Sequence, residues 1–286
     1  MKNIFGMVWQ LLRGTNLILL AISLSLLLLK AQIELTVYEW IALLWGTMSI
    51  AAAGNLVNDI MDQAIDEINE AERRIVGVKI TEKVAWSGYW ILNSVALCLA
   101  FGTKNIGLCS CYGSSILLLW AYSRFFKCRA WLGNLVVAFL CALALLQLLF
   151  LAPVQWNRYW QGAIVLYASF AFLTNWWREL IKDIEDEQGD RQNACSTLIV
   201  QHGMPYGLKI AHYFCNALLL WLVLLLGLLW GRAPFGAWLY VLLVLFPIAI
   251  FLKNRLGRLT NRTQMHQFSQ GLKGYMLLGL IGILFL

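Results

Sequence analysis

The chain has 286 residues, of which 60% are hydrophobic and only 13% charged, with a formal net charge of +7. A water-soluble domain carries about twice that charged fraction, so a large aqueous globular core is excluded. Apolar runs near the roughly 20 residues needed to span a bilayer recur along the whole sequence, which makes it an all-α, polytopic membrane protein.

The first elements follow from Lys2 and Arg13 and the apolar run Leu17 to Leu29. That run ends in Leu-Leu-Lys-Ala-Gln with no small-x-small cleavage pattern, so it reads as a first transmembrane helix rather than a signal peptide. The preceding stretch Ile4 to Leu12, with Trp9, reads as interfacial. Apolar runs bounded by charged or turn-forming residues then give nine transmembrane helices, at about 15–30, 36–57, 84–102, 105–123, 131–151, 160–180, 208–230, 234–252 and 270–286. The whole chain is one transmembrane domain, with two pseudo-repeat halves of about 1–130 and 131–250 and a last helix at about 270–286. The seven cysteines show no zinc-binding spacing and read as small apolar residues.

With nine helices, 18 of the 22 Lys and Arg fall on the side of the N-terminus. This bias makes that side cytoplasmic, in a multi-pass protein of the cell membrane. Thirteen of the 15 acidic residues lie on the same side, nearly all in two segments. Positive-inside bias alone does not concentrate acid there.

The first segment reads Asn55-Leu-Val-Asn58-Asp59-Ile-Met-Asp62-Gln-Ala-Ile-Asp66. The second reads Arg178-Glu179-Leu-Ile-Lys182-Asp183-Ile-Glu-Asp186-Glu-Gln-Gly-Asp190. In both, the aspartates stand at i, i+3 and i+7, within roughly 60° of one helical face. Asn55 and Glu179 fall on the same faces. Gly189 is expected to end regular helix before Asp190. Three carboxylates so close repel one another unless a cation neutralises them. Oxygen ligands without His or Cys select Mg²⁺ or Ca²⁺, and the spacing is not that of an EF-hand. Mg²⁺ shares its shell between a few carboxylates and substrate phosphates, so two clusters suggest two Mg²⁺ sites serving one diphosphate. Arg73, Arg74, Lys127, Arg178 and Lys182 are the cations placed to meet such a ligand. No nucleic-acid partner is expected.

These residues resemble the UbiA family of intramembrane prenyltransferases. Asn58-Asp59-x-x-Asp62-x-x-x-Asp66 is similar to that family's first aspartate-rich motif, with Asn55 and Asp66-Glu-Ile-Asn69 around it. Asp183-x-x-Asp186-x-x-x-Asp190 is similar to the second. Tyr122-Ser123-Arg124, Lys127 and Gly133-Asn134, and Arg13 and Asn16 in the first helix, extend the resemblance over nearly the whole chain. Glu70-Ala-Glu72 departs from it, where relatives often have Arg-Pro. The resemblance implies helices around a central cavity, capped by two Asp-rich loops. It implies Mg²⁺-dependent transfer of a prenyl group from a polyprenyl diphosphate to a lipophilic acceptor in the bilayer. Asp59, Asp62, Asp183 and Asp186 would be catalytic, with Asp66 and Asp190 completing the metal ligands. Asn16, Asn55, Asn58, Arg73, Arg74, Tyr122, Lys127, Arg178 and Lys182 would bind substrate. Tyr122, Tyr167, Trp176 and Trp177 would shield the allylic cation. The second segment most resembles the branch whose acceptor is geranylgeranylglyceryl phosphate, in ether-lipid synthesis. An aromatic acceptor of quinone biosynthesis is the alternative, and an ion-coupled transporter the distant one.

Overall fold

The computed structural model describes residues 2–69, 74–151 and 157–286. The described residues form helices joined by short turns, with only two isolated bridges between extended residues, Val76 with Ile80 and Arg129 with Ser196. Two compact units divide the chain. One comprises Met1–Cys128 and Leu143–Val165, the other Arg129–Ala142 and Leu166–Leu286.

In the first unit, α1 (Lys2–Leu11) and α2 (Gly14–Ala31) meet at a corner where Arg13 takes a left-handed conformation, φ 54°. α3 (Val37–Met61) begins at a reciprocal cap: the Thr36 side chain accepts from the Glu39 N–H, and the Glu39 carboxylate accepts from the Thr36 N–H. α3 stops at Asp62, and a short α4 (Gln63–Asn69) follows. α5 (Glu82–Gly102) and α6 (Ile106–Ala121) form the next pair, started by Thr81 and Asn105 as caps. Inside this unit a buried polar chain ties helices together. Gln147 Nε2, on the short α8 side of the break after α7 (Leu132–Leu146; α8 is Leu148–Leu151), donates to Thr47 Oγ1 at 3.0 Å. The Tyr112 hydroxyl lies 3.1 Å from that oxygen and 2.8 Å from the Ala42 carbonyl. Each buried group has a partner, so the chain stabilises the packing instead of opposing it.

The 35-residue α9 (Arg158–Gln192) starts in the first unit and from Leu166 onward belongs to the second. After α10 (Leu198–His202), α11 (Met204–Leu229) carries Pro205 in its first turn, where no N–H is needed. α12 (Phe235–Tyr240) passes through a π-turn, Val241–Leu245, into α13 (Phe246–Leu256). Pro247 explains the interruption, because it has no N–H for the preceding turn and its ring crowds that turn's carbonyl. α14 (Arg262–Ile281) ends in a 3₁₀ turn. Trp177, Leu218, Leu222, Phe268, Leu272 and Tyr275 lie at the fully buried centre of this unit.

Among the described residues, eight helices are long and apolar enough to cross a membrane. The ninth expected span, 160–180, exists as part of α9, but Gln161, Thr174 and Asn175 make it less apolar than the rest. The last span starts at Arg262 rather than at 270, because Asn261 caps it there. Of the cysteines, Cys98, Cys109, Cys111, Cys141 and Cys215 are free. Cys128 and Cys195 depart from the apolar reading, each being disulfide-bonded.

Candidate functional site

The two acidic clusters sit on helices rather than in Asp-rich loops. Asp59 is in the last turn of α3, Asp62 is the residue that ends it, and Asp66 is in α4. Asp183, Asp186 and Asp190 all lie within α9, which Gly189 does not terminate. The Asp190 carbonyl instead accepts the Cys195 N–H at 2.9 Å, closing the helix end beyond it. In α9 the continuous helical frame makes the i, i+3, i+7 spacing matter, since it sets Asp183, Asp186 and Asp190 along one face.

In the first unit, Asp62 is nearly buried and accepts from the Asn58 amide and the Lys127 ammonium. Lys127 reaches it because the chain after α6 makes a π-turn, Tyr122–Phe126, with the Lys127 N–H on the Tyr122 carbonyl at 2.9 Å. The wider turn advances the register past that of a plain α-helix. Asp59 Oδ1 accepts from Arg13 Nη2 at 3.4 Å. Asn55 Nδ2 donates to the Leu12 carbonyl at 3.0 Å, so it braces the α1–α2 corner. Arg74 pairs with the exposed Glu67 at 3.1 Å and keeps a buried Nε–H without an acceptor. Asn16 is exposed on α2. Arg73, and the departure at 70–72, lie outside the described residues.

In the second unit, Asp183 Oδ2 accepts from Asn134 Nδ2 of α7 at 2.8 Å. Lys182 Nζ stands 3.9 Å from Asp186 Oδ2. Arg178 pairs with Glu179 at 2.6 Å and also keeps a buried, unpaired Nε–H. Asp183 lies beyond the apolar part of α9. Burial raises its carboxyl to about 8, the Asn134 hydrogen bond opposes the rise, and Asp190, Glu179 and Asp186 add to it. Trp177 is fully buried, edge-on to Phe268 in the unit's core. Trp176 meets Phe172 edge-on at 5.2 Å and lies tilted against Phe214 at 4.7 Å.

Among the described residues no three His, Cys, Asp or Glu side chains converge as a ready metal cage. Asp59, Asp62 and Asp183 are each engaged by Arg13, Lys127 or Asn134. The donor set nevertheless fits a hard cation that uses one or two carboxylates and completes its shell with water and phosphate. Two features support the fit: the Asn58 Oδ1 atom is buried without a hydrogen-bond partner, and burial beside other carboxylates raises the Asp183 carboxyl above its ordinary range. Sequence reasoning left Asn134 off the site and gave Arg13 only as a candidate cation for a phosphate-bearing acceptor, although both stood within the stretches of resemblance.

A multi-pass helical protein with oxygen-only ligand sets and cations at its helix ends has the makings of a membrane enzyme acting on a polyanionic lipid substrate. Residues 18–277 match the UbiA prenyltransferase family, and the chain belongs to that family. It is similar to the digeranylgeranylglyceryl phosphate synthases of Methanothermobacter thermautotrophicus and Methanosphaera stadtmanae. The first is 30% identical over 248 residues, 85% of this chain and 82% of that protein. The second is 29% identical over 286 residues, 95% of this chain and 96% of that protein. The fold is similar to a solved digeranylgeranylglyceryl phosphate synthase, with TM-score 0.74, 22% identity and coverage of 99% of this chain and 98% of that one. It is also similar to a UbiA homolog from Archaeoglobus fulgidus bound to GPP and Mg²⁺, with TM-score 0.64, 12% identity and coverage of 97% and 99%. Membership in a prenyltransferase family sets the transporter reading aside.

Proposed function

We propose that this protein transfers a geranylgeranyl group from its diphosphate to the free hydroxyl of geranylgeranylglyceryl phosphate, forming an ether-linked membrane lipid precursor. The observation that carries the reading is the matched pair of i, i+3, i+7 aspartate stripes, each with a cation beside it. The synthase names of its relatives, and the GPP and Mg²⁺ bound by the A. fulgidus homolog, support the substrate class.

Asp59, Asp62 and Asp66 would hold Mg²⁺ in the first unit, and Asp183, Asp186 and Asp190 in the second. Bound Mg²⁺ supplies charge neutralisation for the departing diphosphate. Lys127 and Lys182, which here pair with Asp62 and Asp186, would be free for phosphate oxygens once those carboxylates hold a metal. Arg74 and Arg178 each have a donor in reserve for phosphate, which suits an acceptor that itself carries one. Surrounding lipid and apolar side chains keep water from the allylic centre. The acidic helix ends face the cytoplasm in this reading, supported by the 18-to-4 distribution of basic residues.

An acceptor panel tests it. Purified protein in liposomes receives geranylgeranyl diphosphate, Mg²⁺ and, in turn, geranylgeranylglyceryl phosphate, its dephosphorylated form, homogentisate and 4-hydroxybenzoate. Diphosphate release with the first alone bears the proposal out. Release with an aromatic acid instead transfers the protein to the quinone-pathway reading, and background release with all of them defeats both.

A further inference from the structure

The N-terminal helix α1 has two apolar faces. Leu11, with Met7 and Leu12, packs against Val57, Ile60 and Tyr89 beside the end of α3. On the other side Ile4, Phe5, Val8 and Trp9 are 62, 72, 41 and 39% exposed. The Phe5 and Trp9 rings stack at 6.0 Å. A face of this size would aggregate in water. It is not in water, because α2 begins at Gly14 and is itself a membrane span. Two residues separate the helices, so α1 stays beside the end of α2, where an in-plane helix meets the membrane surface. Gly14 fixes the angle: a Cβ there would stand 2.4 Å from the Trp9 indole, so only glycine lets the ring cover the corner.

The same corner touches the first acidic cluster twice. Arg13 holds a left-handed backbone, a conformation strained for a residue with a Cβ. In that conformation its guanidinium reaches Asp59, and the Leu12 carbonyl receives Asn55. We infer that α1 is an in-plane helix whose exposed face contacts lipid at the membrane interface, and that it positions the Asp59 carboxylate through Arg13. An apolar face inserted at the level of the acyl–headgroup boundary holds α1 against the bilayer. That hold keeps Arg13 and Leu12 in register with Asp59 and Asn55. The lipid contact stands alone, whereas the positioning role rests on the reading of Asp59 as a metal ligand.

Cleavage after Lys2 and Arg13 releases residues 3–13 as a single tryptic peptide. The full-length protein in liposomes containing a diazirine-bearing lipid is photolysed, digested and mapped by mass spectrometry. Lipid adducts on peptide 3–13 are expected. Their absence while the α2 peptide is labelled, or protein–protein crosslinks in their place, overturns the lipid contact. The double variant Phe5→Ser, Val8→Ser changes only exposed side chains. It should lose the adducts and need about tenfold more Mn²⁺ for half-saturation, read by electron paramagnetic resonance of free Mn²⁺, the size seen when a ligand's supporting contact is lost. Unchanged Mn²⁺ binding in that variant overturns the positioning role. Failure of the wild-type protein to bind Mn²⁺ at all would instead overturn the metal reading, with the labelling result still standing.

Discussion

The ammonium of Lys127 lies on Oδ2 of Asp62, the same oxygen that accepts the Asn58 amide. The Asp62 side chain is 4% exposed and that of Lys127 19%, so the pair is largely withdrawn from water. Removing one partner of a buried pair strands the other charge, at a cost of about 3–5 kcal/mol. Lys127→Met should therefore lower Tm in EDTA by several degrees. Saturating Mg²⁺ should recover part of that loss, because a bound cation compensates Asp62 directly. Thermal unfolding of the variant with and without Mg²⁺ checks this, and an equal loss in both conditions contradicts the role given to Lys127.

Asn134 donates its amide to Asp183, one of the metal-ligand candidates. Its amide holds the Oδ2 oxygen of that carboxylate. Loss of such a supporting hydrogen bond typically weakens metal affinity about 10–100-fold. Asn134→Ala should raise the Mg²⁺ concentration giving half-maximal turnover by that order, while the maximal rate at high Mg²⁺ changes much less. A variant with the wild-type Mg²⁺ curve would leave Asn134 as packing only.

Much of this was legible in the sequence because apolar length and charge placement are one-dimensional quantities. The spans around α2, α3, α5 and α6 need nothing else. The clusters were legible too, because i, i+3, i+7 names a helical face before any helix is seen. What the sequence concealed depends on register and contact. Gly189 reads as a helix stop, yet α9 passes through it to Gln192, since the Cys195 N–H provides the terminating bond. Arg13 and Asn134 are distant in sequence from the aspartates they hold, by 46 and 49 residues. The π-turn that delivers Lys127 has no composition of its own.

Gly46 offers a control outside the site. A Cβ there would stand 2.5 Å from Cε2 and 2.7 Å from the hydroxyl of Tyr112. That ring is fully buried, and its hydroxyl holds the Ala42 carbonyl. It cannot retreat without losing its bond. Overpacking of this kind costs about 1–3 kcal/mol. Gly46→Ala should lower Tm while leaving the Mg²⁺ requirement of the surviving protein unchanged. A changed Mg²⁺ requirement would mean that this packing layer reaches the acidic cluster.

Asp59 and Asp183 head the two stripes, one in each unit. Asp59→Ala and Asp183→Ala should each reduce turnover by at least about 10²-fold, the order lost when one preorganised electrostatic group is removed. Both proteins should still fold, as judged by helical circular dichroism. EDTA should produce the same loss reversibly in the wild-type chain. Activity near wild type in either variant removes that residue from the metal site, and full activity in EDTA removes the metal.

The raised carboxyl of Asp183 makes the metal and the proton competitors. Burial lifts it to about 8, with Asp190, Glu179 and Asp186 adding to the rise, against an ordinary value near 3.8. A carboxyl raised in the folded state favours the folded protein fully below the ordinary value, and that contribution is lost as pH climbs towards 8. The cation-free protein should therefore lose stability between about pH 4 and pH 8 from this group. Mg²⁺ binds the ionised form, so it must expel the proton below pH 8 and only then relieves the repulsion. The Mg²⁺-induced increase in Tm should grow from pH 6 to pH 8 and level off above, and calorimetry in two buffers should show proton release on Mg²⁺ binding at pH 6.5. In Asp183→Asn both the pH slope and the proton release should shrink. A Mg²⁺ effect on Tm that stays flat from pH 6 to pH 8 in the wild-type protein would show that Asp183 is already ionised without the metal.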